Sequence, residues 1–166
     1  MSDTPHGQMG VGAILFSPNG RIAPSQFWAA WTGLLAANVV FSFIPLISNI
    51  MTFVLIYIGV CIYGKRLHDS GKSAWVHIIP WIVTLIIIVG VTVQNYDAVV
   101  ALVELGESGR QPTEEEALDL FNRLGAFFLA ILIYLGIWLA YTVWVGTRPS
   151  QKFDNRYGKG PSGDVF

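Results

Sequence analysis

The residues best suited to chemistry stand in one short polar stretch, Lys65–Trp75, which reads Lys-Arg-Leu-His-Asp-Ser-Gly-Lys-Ser-Ala-Trp. His68 and Asp69 are side chains of the kind that general acid–base catalysis uses. Neighbouring side chains along a chain often point apart, and neither a nucleophile motif nor a phosphate-binding loop accompanies this pair. The stretch therefore does not define a reaction by itself.

Three roles for this stretch stay open. In the first, its cations attract an anionic lipid surface, where each contributes about 1 kcal/mol. In the second, Asp69 forms a structural ion pair with Arg21 or Arg156 and holds the end of the chain against this stretch. In the third, His68 and Asp69 act as a catalytic acid–base pair.

The sequence predicts no metal site and no cofactor. The three histidines show no paired ligand spacing, and neither a CxxC nor an HExxH motif occurs. Cys61 is the only cysteine, which excludes an internal disulfide, and we interpret it as a small buried apolar residue. The formal net charge of −1 does not suggest nucleic-acid binding.

The composition indicates a membrane protein. Of the 166 residues, 53% are hydrophobic and only 13% are charged, about half the charged share of a soluble domain. The charges leave three uncharged tracts, Ile22–Gly64, Ser73–Tyr96 and Leu124–Thr147. A helix crosses a membrane with about 20 apolar residues, so the first tract can cross twice. The sequence predicts an all-α, four-helix membrane bundle.

The predicted spans are about 24–44, 49–65, 74–96 and 124–146. They belong to a membrane domain, 16–147, which is preceded by an N-terminal tail, 1–15, and followed by a basic tail, 148–166. Ala29, Gly33 and Ala37 form a small face on the first span that permits close approach of another helix. Pro80 is expected to bend the third span, because a proline inside a helix removes a backbone hydrogen bond.

An acidic helical hairpin is predicted between the third and fourth spans. The helical pattern continues past Tyr96 to Leu105, and a capping box formed by Thr113 and Glu116 begins a helix that can reach Gly146. Each extension has one apolar face, and we expect the two faces to bury each other. Their residues are Val99, Leu102 and Val103 on the first, and Leu118 and Phe121 on the second.

The distribution of basic residues predicts the orientation. With four spans, one side of the membrane holds eight of the ten basic residues, and the hairpin side holds only Arg110 and Arg123 beside seven acids. Basic residues stay in the cytoplasm, so both termini are predicted to be cytoplasmic and the hairpin periplasmic. The eight are Arg21, Lys65, Arg66, Lys72, Arg148, Lys152, Arg156 and Lys159.

Three separated motifs carry a family resemblance. They are Gly20-Arg21-Ile22, Arg66-Leu67-His68-Asp69 and Asn155-Arg156-Tyr157-Gly158. In this order the chain resembles the bacterial inner-membrane family called domain of unknown function 805, over roughly residues 16–161. The resemblance implies a small four-helix inner-membrane protein and supplies no activity. The chain departs from the family at Ala23-Pro24, where a basic residue is common, and in its longer acidic segment.

The expected function is that of a non-enzymatic structural or accessory component of the bacterial inner membrane. Its cationic cytoplasmic face would bind anionic lipid or a partner protein, and the chain would form a homo-oligomer or join a larger membrane complex. The alternatives are a subunit of an oligomeric transporter or channel, and a membrane enzyme that uses His68 and Asp69. The candidate lipid-headgroup or ion-pair residues are Arg21, Lys65, Arg66, His68, Asp69, Lys72, Asn155, Arg156 and Tyr157.

Overall fold

A computed structural model describes residues 9–159 of the chain; residues 1–8 of the predicted N-terminal tail and 160–166 of the predicted basic tail lie outside them. This part of the protein is helical and contains no strand, as the composition and periodicity predict. The α-helices are α1 (Val11–Phe16), α2 (Pro24–Ser42), α3 (Pro45–Asp69), α4 (Ile78–Gln94), α5 (Tyr96–Ser108) and α6 (Glu114–Thr147). A short 3-10 helix, Ala74–His77, precedes α4.

Among the described residues, three helical segments are long and apolar enough to cross a membrane. They are Ile47–Asp69, Ala74–Gln94 and Glu114–Thr147. The first predicted span, about 24–44, also forms a helix, the 19-residue α2, but it is not among these three. Gln26 and Asn38 lower its average hydropathy.

The described chain forms two compact units. The first combines residues 9–78 with 142–159, and the second is Ile79–Tyr141. In the first unit α2 and α3 run antiparallel, because Phe27 and Trp31 near the start of α2 contact Tyr63 near the end of α3. The Phe27 and Tyr63 rings meet edge to face at 5.3 Å, and the indole N–H of Trp31 donates to the Tyr63 hydroxyl at 3.1 Å.

Helix α3 ends later than the predicted span. It continues to Asp69, so Lys65, Arg66, His68 and Asp69 form its last turns and do not lie in a loop. The end is a Schellman motif, in which Gly71 has a φ of 75° and its N–H donates to the His68 carbonyl at 3.0 Å. Lys72 N–H donates to the Leu67 carbonyl at 2.8 Å, which completes the motif.

The third predicted span begins with the short 3-10 helix and continues as α4. Ser73 caps it as predicted, since its hydroxyl accepts from the Trp75 N–H at 3.3 Å. The 3-10 helix that follows places Pro80 in the first turn of α4. A proline there interrupts no helical hydrogen bond, because the first N–H groups of a helix have no helical partner. The predicted bend of the third span at Pro80 stays a prediction.

The second unit contains α5, the start of α6 and the turn between them. Gly109, with a φ of 64°, ends α5. The predicted capping box is present, with Thr113 N–H donating to Glu116 at 2.8 Å and Glu116 N–H donating to the Thr113 hydroxyl at 3.3 Å. Arg110 forms a two-pronged ion pair with Glu116, both distances being 2.8 Å, and this pair raises the pKa of Arg110.

The predicted contact between the two apolar faces of this hairpin is wrong. Val99, Leu102, Val103, Leu118 and Phe121 are all exposed. Their opposite faces line a cavity of about 280 Å³, where Ala98, Ala101 and Leu105 of α5 share the lining with Leu120 of α6 and with charged residues. Two of these charges pair along α6, since Arg123 donates to Asp119 at 2.8 Å. Charged side chains therefore share the inner side with Leu105 and Leu120, and the five apolar side chains of the predicted contact lie outside.

Candidate functional site

A buried ion cluster forms where α3 ends in the first unit. We define it as Arg21, Arg66, Asp69 and Ser150. Asp69 binds the Arg21 guanidinium through one carboxylate oxygen, at 3.1 Å, and the Arg66 guanidinium through the other. The Ser150 hydroxyl also donates to Asp69. All three charged side chains are less than 5% exposed.

Main-chain carbonyls of the tail accept further hydrogen bonds from the two guanidinium groups. Arg21 donates to the carbonyls of Phe153, at 2.9 Å, and Gln151, at 2.5 Å, while Arg66 donates to that of Arg148. In return the Gln151 N–H donates to the Asp69 carbonyl at 2.8 Å. A buried charge needs such partners, because removal from water costs several kcal/mol per ion, in order of magnitude. The cluster thus fastens the tail to the end of α3.

His68 belongs to a second contact between the end of α3 and the tail. Its ring stacks on Tyr157 with a centroid distance of 3.8 Å and an angle of 6° between the planes. Its Nδ1 lies 3.3 Å from the Gly20 carbonyl, and its own carbonyl accepts from the Asn155 amide at 2.9 Å. His68 and Asp69 therefore have different partners, which does not provide the mutual orientation of an acid–base pair.

A tight turn at the end of the described tail positions Tyr157. Asn155 and Gly158 exchange two main-chain hydrogen bonds of 3.0 Å, and the Asn155 side chain accepts from the Tyr157 N–H at 2.9 Å. The Arg156 guanidinium lies 4.7 Å from the centre of the Tyr157 ring. Arg156 thus stacks on Tyr157, while Asp69 forms its ion pairs with Arg21 and Arg66. The alternative ion pair of Asp69 with Arg156 is wrong.

Lys65 has a different role from the other basic residues. Its buried ammonium donates to the carbonyls of Ala13, Ile14 and Ser17, at 2.7, 2.5 and 2.6 Å. These carbonyls lie in the last turn of α1 or directly after it, and a cation is favourable at the C-terminal end of a helix. The Tyr57 hydroxyl donates to the Phe16 carbonyl at 3.0 Å, which fixes the same end of α1. Residues 11–16 are thus attached to α3 and are not part of a free tail.

The structure brings seven of the nine predicted site residues together and leaves Lys65 and Lys72 apart from them. Arg21, Arg66, His68, Asp69, Asn155 and Tyr157 are linked as described, with Arg156 stacked on Tyr157. Lys72 lies partly exposed beyond the end of α3. The sequence argument missed Ser150 and Gln151, which carry no charge. Their polar side chains directly after the last apolar tract were the available signal.

The same unit also carries basic and aromatic side chains that are exposed or partly exposed. Phe153 is 82% exposed and Trp75 is 77% exposed. Lys152 and Arg156 flank Phe153 along the tail and are also exposed, and Lys72 lies close to Trp75 in sequence. We call Lys72, Trp75, Lys152, Phe153 and Arg156 the basic–aromatic group.

No family model, curated protein or solved structure matches this chain. Within residues 9–159, no group of three or more His, Cys, Asp or Glu side chains is placed to hold a metal ion. The chemistry of the site must therefore be argued from its own contacts.

Proposed function

We propose that the protein is an integral membrane protein with four spans, of which α2 is the first. Helix α2 runs antiparallel to α3, and α3 is one of the helices long and apolar enough to cross. Leu34 of α2 also approaches Gly59 of α3, so the two helices remain close along their length. A helix held beside a spanning helix crosses the same layer, and this supports α2 as the first of four spans.

We place both termini in the cytoplasm of a bacterium whose inner membrane holds the protein. Arg21, the end of α3 and the tail after α6 contact one another, so they occupy the same side of the membrane. That side carries the excess of basic residues, which favours the cytoplasm. The three motifs of the resemblance to domain of unknown function 805 meet at this point, which makes family membership our proposal.

The function that the geometry supports best is non-enzymatic: a structural or accessory membrane component whose cytoplasmic face binds anionic lipid. One observation carries it. Asp69 and main-chain carbonyls bind the buried guanidinium groups of Arg21 and Arg66, whereas the residues of the basic–aromatic group are exposed or, for Lys72, partly exposed. Aromatic rings anchor at headgroup level, and cations near an anionic leaflet contribute about 1 kcal/mol each.

The catalytic alternative has less support. An acid–base pair requires both groups to face a reacting atom. Both carboxylate oxygens of Asp69 are bound by guanidinium groups, and the His68 ring lies flat on Tyr157. A residue held in this way stabilises the fold and is not free to move a proton to a substrate.

An oligomeric transporter or channel remains the alternative function, and one observation favours it. The small face of α2 is open at Gly33, where an added Cβ would meet nothing within 4 Å. Small residues let membrane helices approach closely, so this face suits a helix of another subunit. Against transport, the uncharged tracts of the spans contain no ionisable Asp, Glu, Lys or Arg, which ion pathways commonly use.

Lipid binding is tested by native mass spectrometry of the full-length protein, released from mixed phosphatidylglycerol and phosphatidylcholine nanodiscs. We expect retained phosphatidylglycerol, and its loss in the triple variant Lys72→Gln, Lys152→Gln, Arg156→Gln. The double variant Arg110→Gln, Arg123→Gln removes two cations from the hairpin and is the matched control. Equal retention in the triple variant and the wild type would refute lipid binding by this group.

A further inference from the structure

The outer face of α6 near its beginning combines exposed apolar side chains with acidic ones. Leu118 is 62% exposed and Phe121 is 73% exposed. Glu114 lies four residues before Leu118, so it shares this face, and Glu115 lies beside it. We call Glu114, Glu115, Leu118 and Phe121 the outer α6 face. It is opposite the face that lines the cavity with α5.

The hydrocarbon core does not cover this face. The 34 residues of α6 form a helix of about 51 Å, whereas the core is about 30 Å thick. The cytoplasmic end of α6 is fixed, because Arg66 binds the carbonyls of Gly146 and Arg148 there. Counting about 20 residues back from Thr147 leaves the first dozen or so of α6 outside the core.

The negative charge of this segment argues against two other occupants of the outer α6 face, a second copy of the chain and anionic lipid. The segment 95–123 has seven acids and two arginines, a net charge of −5. Both arginines already pair with acids of the same unit. A second copy would bring like charges together, and anionic lipid headgroups would be repelled in the same way. A basic partner alone complements both the acids and the apolar side chains.

We propose that the outer α6 face is a docking surface for a basic amphipathic helix of a partner protein. Phe121 and Leu118 enter the apolar side of that helix, one turn apart, and the acids Glu114 and Glu115 pair with its lysines or arginines. Exposed aromatic anchors surrounded by polar residues are the usual form of such a surface. This interaction is independent of the lipid binding proposed for the other side of the membrane.

The test uses the full-length protein in phosphatidylcholine nanodiscs and two labelled synthetic helices with identical leucine faces. One helix carries lysines on its polar face and the other carries glutamates. We expect the lysine helix to bind above the level of empty nanodiscs and the glutamate helix to show no such binding. Leu118→Ala with Phe121→Ala should weaken binding of the lysine helix about tenfold or more.

Two further measurements make the proposal refutable. Because both side chains are exposed, the double variant should keep the melting temperature of the wild type, and Val99→Ala with Leu102→Ala on α5 is the matched control that should bind normally. Equal binding by the outer-face variant and the wild type would overturn the proposal, as would equal binding of both synthetic helices. A photo-reactive residue at 121 that cross-links two copies of the chain, or lipid, would also overturn it.

Discussion

Asp69 and Arg21, 48 residues apart, form a buried ion pair of 3.1 Å that joins the chain before α2 to the end of α3. Arg66 binds the other oxygen of the same carboxylate, and the tail after α6 supplies carbonyls to both arginines. Three distant parts of the chain thus depend on one aspartate. Loss of this aspartate would leave two buried cations without their counter-charge.

Asp69→Ala should therefore be strongly destabilising. Removal of one partner of a buried ion pair costs about 3–5 kcal/mol. We expect Asp69→Ala and Arg21→Ala together to be less destabilising than the sum of the single changes, because they remove the same interaction. Equilibrium unfolding in mixed detergent micelles measures these free energies. Asp69→Ala with Arg156→Ala should be additive, and additivity with Arg21→Ala as well would contradict the structure.

Two glycines of α6 should respond oppositely to substitution by alanine. A Cβ at Gly146 would lie 2.4 Å from the Trp28 ring and 2.9 Å from the Phe27 ring, so the packing must shift. We expect Gly146→Ala to cost about 1–3 kcal/mol, the usual range for overpacking. Gly136 has nothing within 4 Å of the corresponding position, and Gly136→Ala is the control that should leave the melting temperature unchanged or higher.

Lys65→Met should release α1 from α3 without unfolding the spans. Methionine keeps the apolar stem but cannot donate to the carbonyls of Ala13, Ile14 and Ser17. Loss of buried hydrogen-bond partners costs about 1–3 kcal/mol. Hydrogen exchange of the peptide 11–17 should become faster, while exchange in α3 should not change. Lys152→Met at an exposed position is the control, and unchanged exchange in the Lys65 variant would contradict a capping role.

The four-span topology predicts the side on which single cysteines react. In a Cys61→Ser background, Ser108→Cys in the hairpin should react with a membrane-impermeant thiol reagent added outside intact cells. Lys152→Cys in the tail should react only after the cells are opened. If α2 does not cross, the termini lie on opposite sides, so a cysteine replacing Asn19 should then react on the side opposite to Lys152→Cys.

The ends of the helices show which structural features the local sequence can predict. The Thr113–Glu116 capping box and the Ser73 cap were predictable, because each depends on residues only two or three positions apart. The continuation of α3 to Asp69 was not predictable from the local sequence. Lys65, Arg66, His68 and Asp69 resemble a polar loop in sequence, but their helical turn is stabilised by contacts with residues 13–21 and 146–157.

The outer hairpin shows a feature that a hydrophobic pattern predicted wrongly. Periodicity placed Leu102 and Phe121 on apolar faces, and the expectation that apolar faces meet predicted a contact that does not form. Arg110 and Arg123 pair with acids on α6, beside the cavity between α5 and α6, and the large apolar side chains point outward. A hydrophobic pattern gives the direction of a side chain relative to its own helix, but not the identity of its neighbour.

The sequence by itself determined the helical class, the apolar segments long enough to cross a membrane, the caps of the later helices and the unequal distribution of charge. These follow from composition, period and spacing, which act within a few residues. Only the tertiary structure decided that Asp69 pairs with Arg21 and Arg66, that His68 stacks on Tyr157, and that Lys65 holds α1. Each of these contacts joins residues about 50 or more positions apart, or depends on the helical turn that such contacts support, and no local pattern specifies which distant partner a buried charge will find.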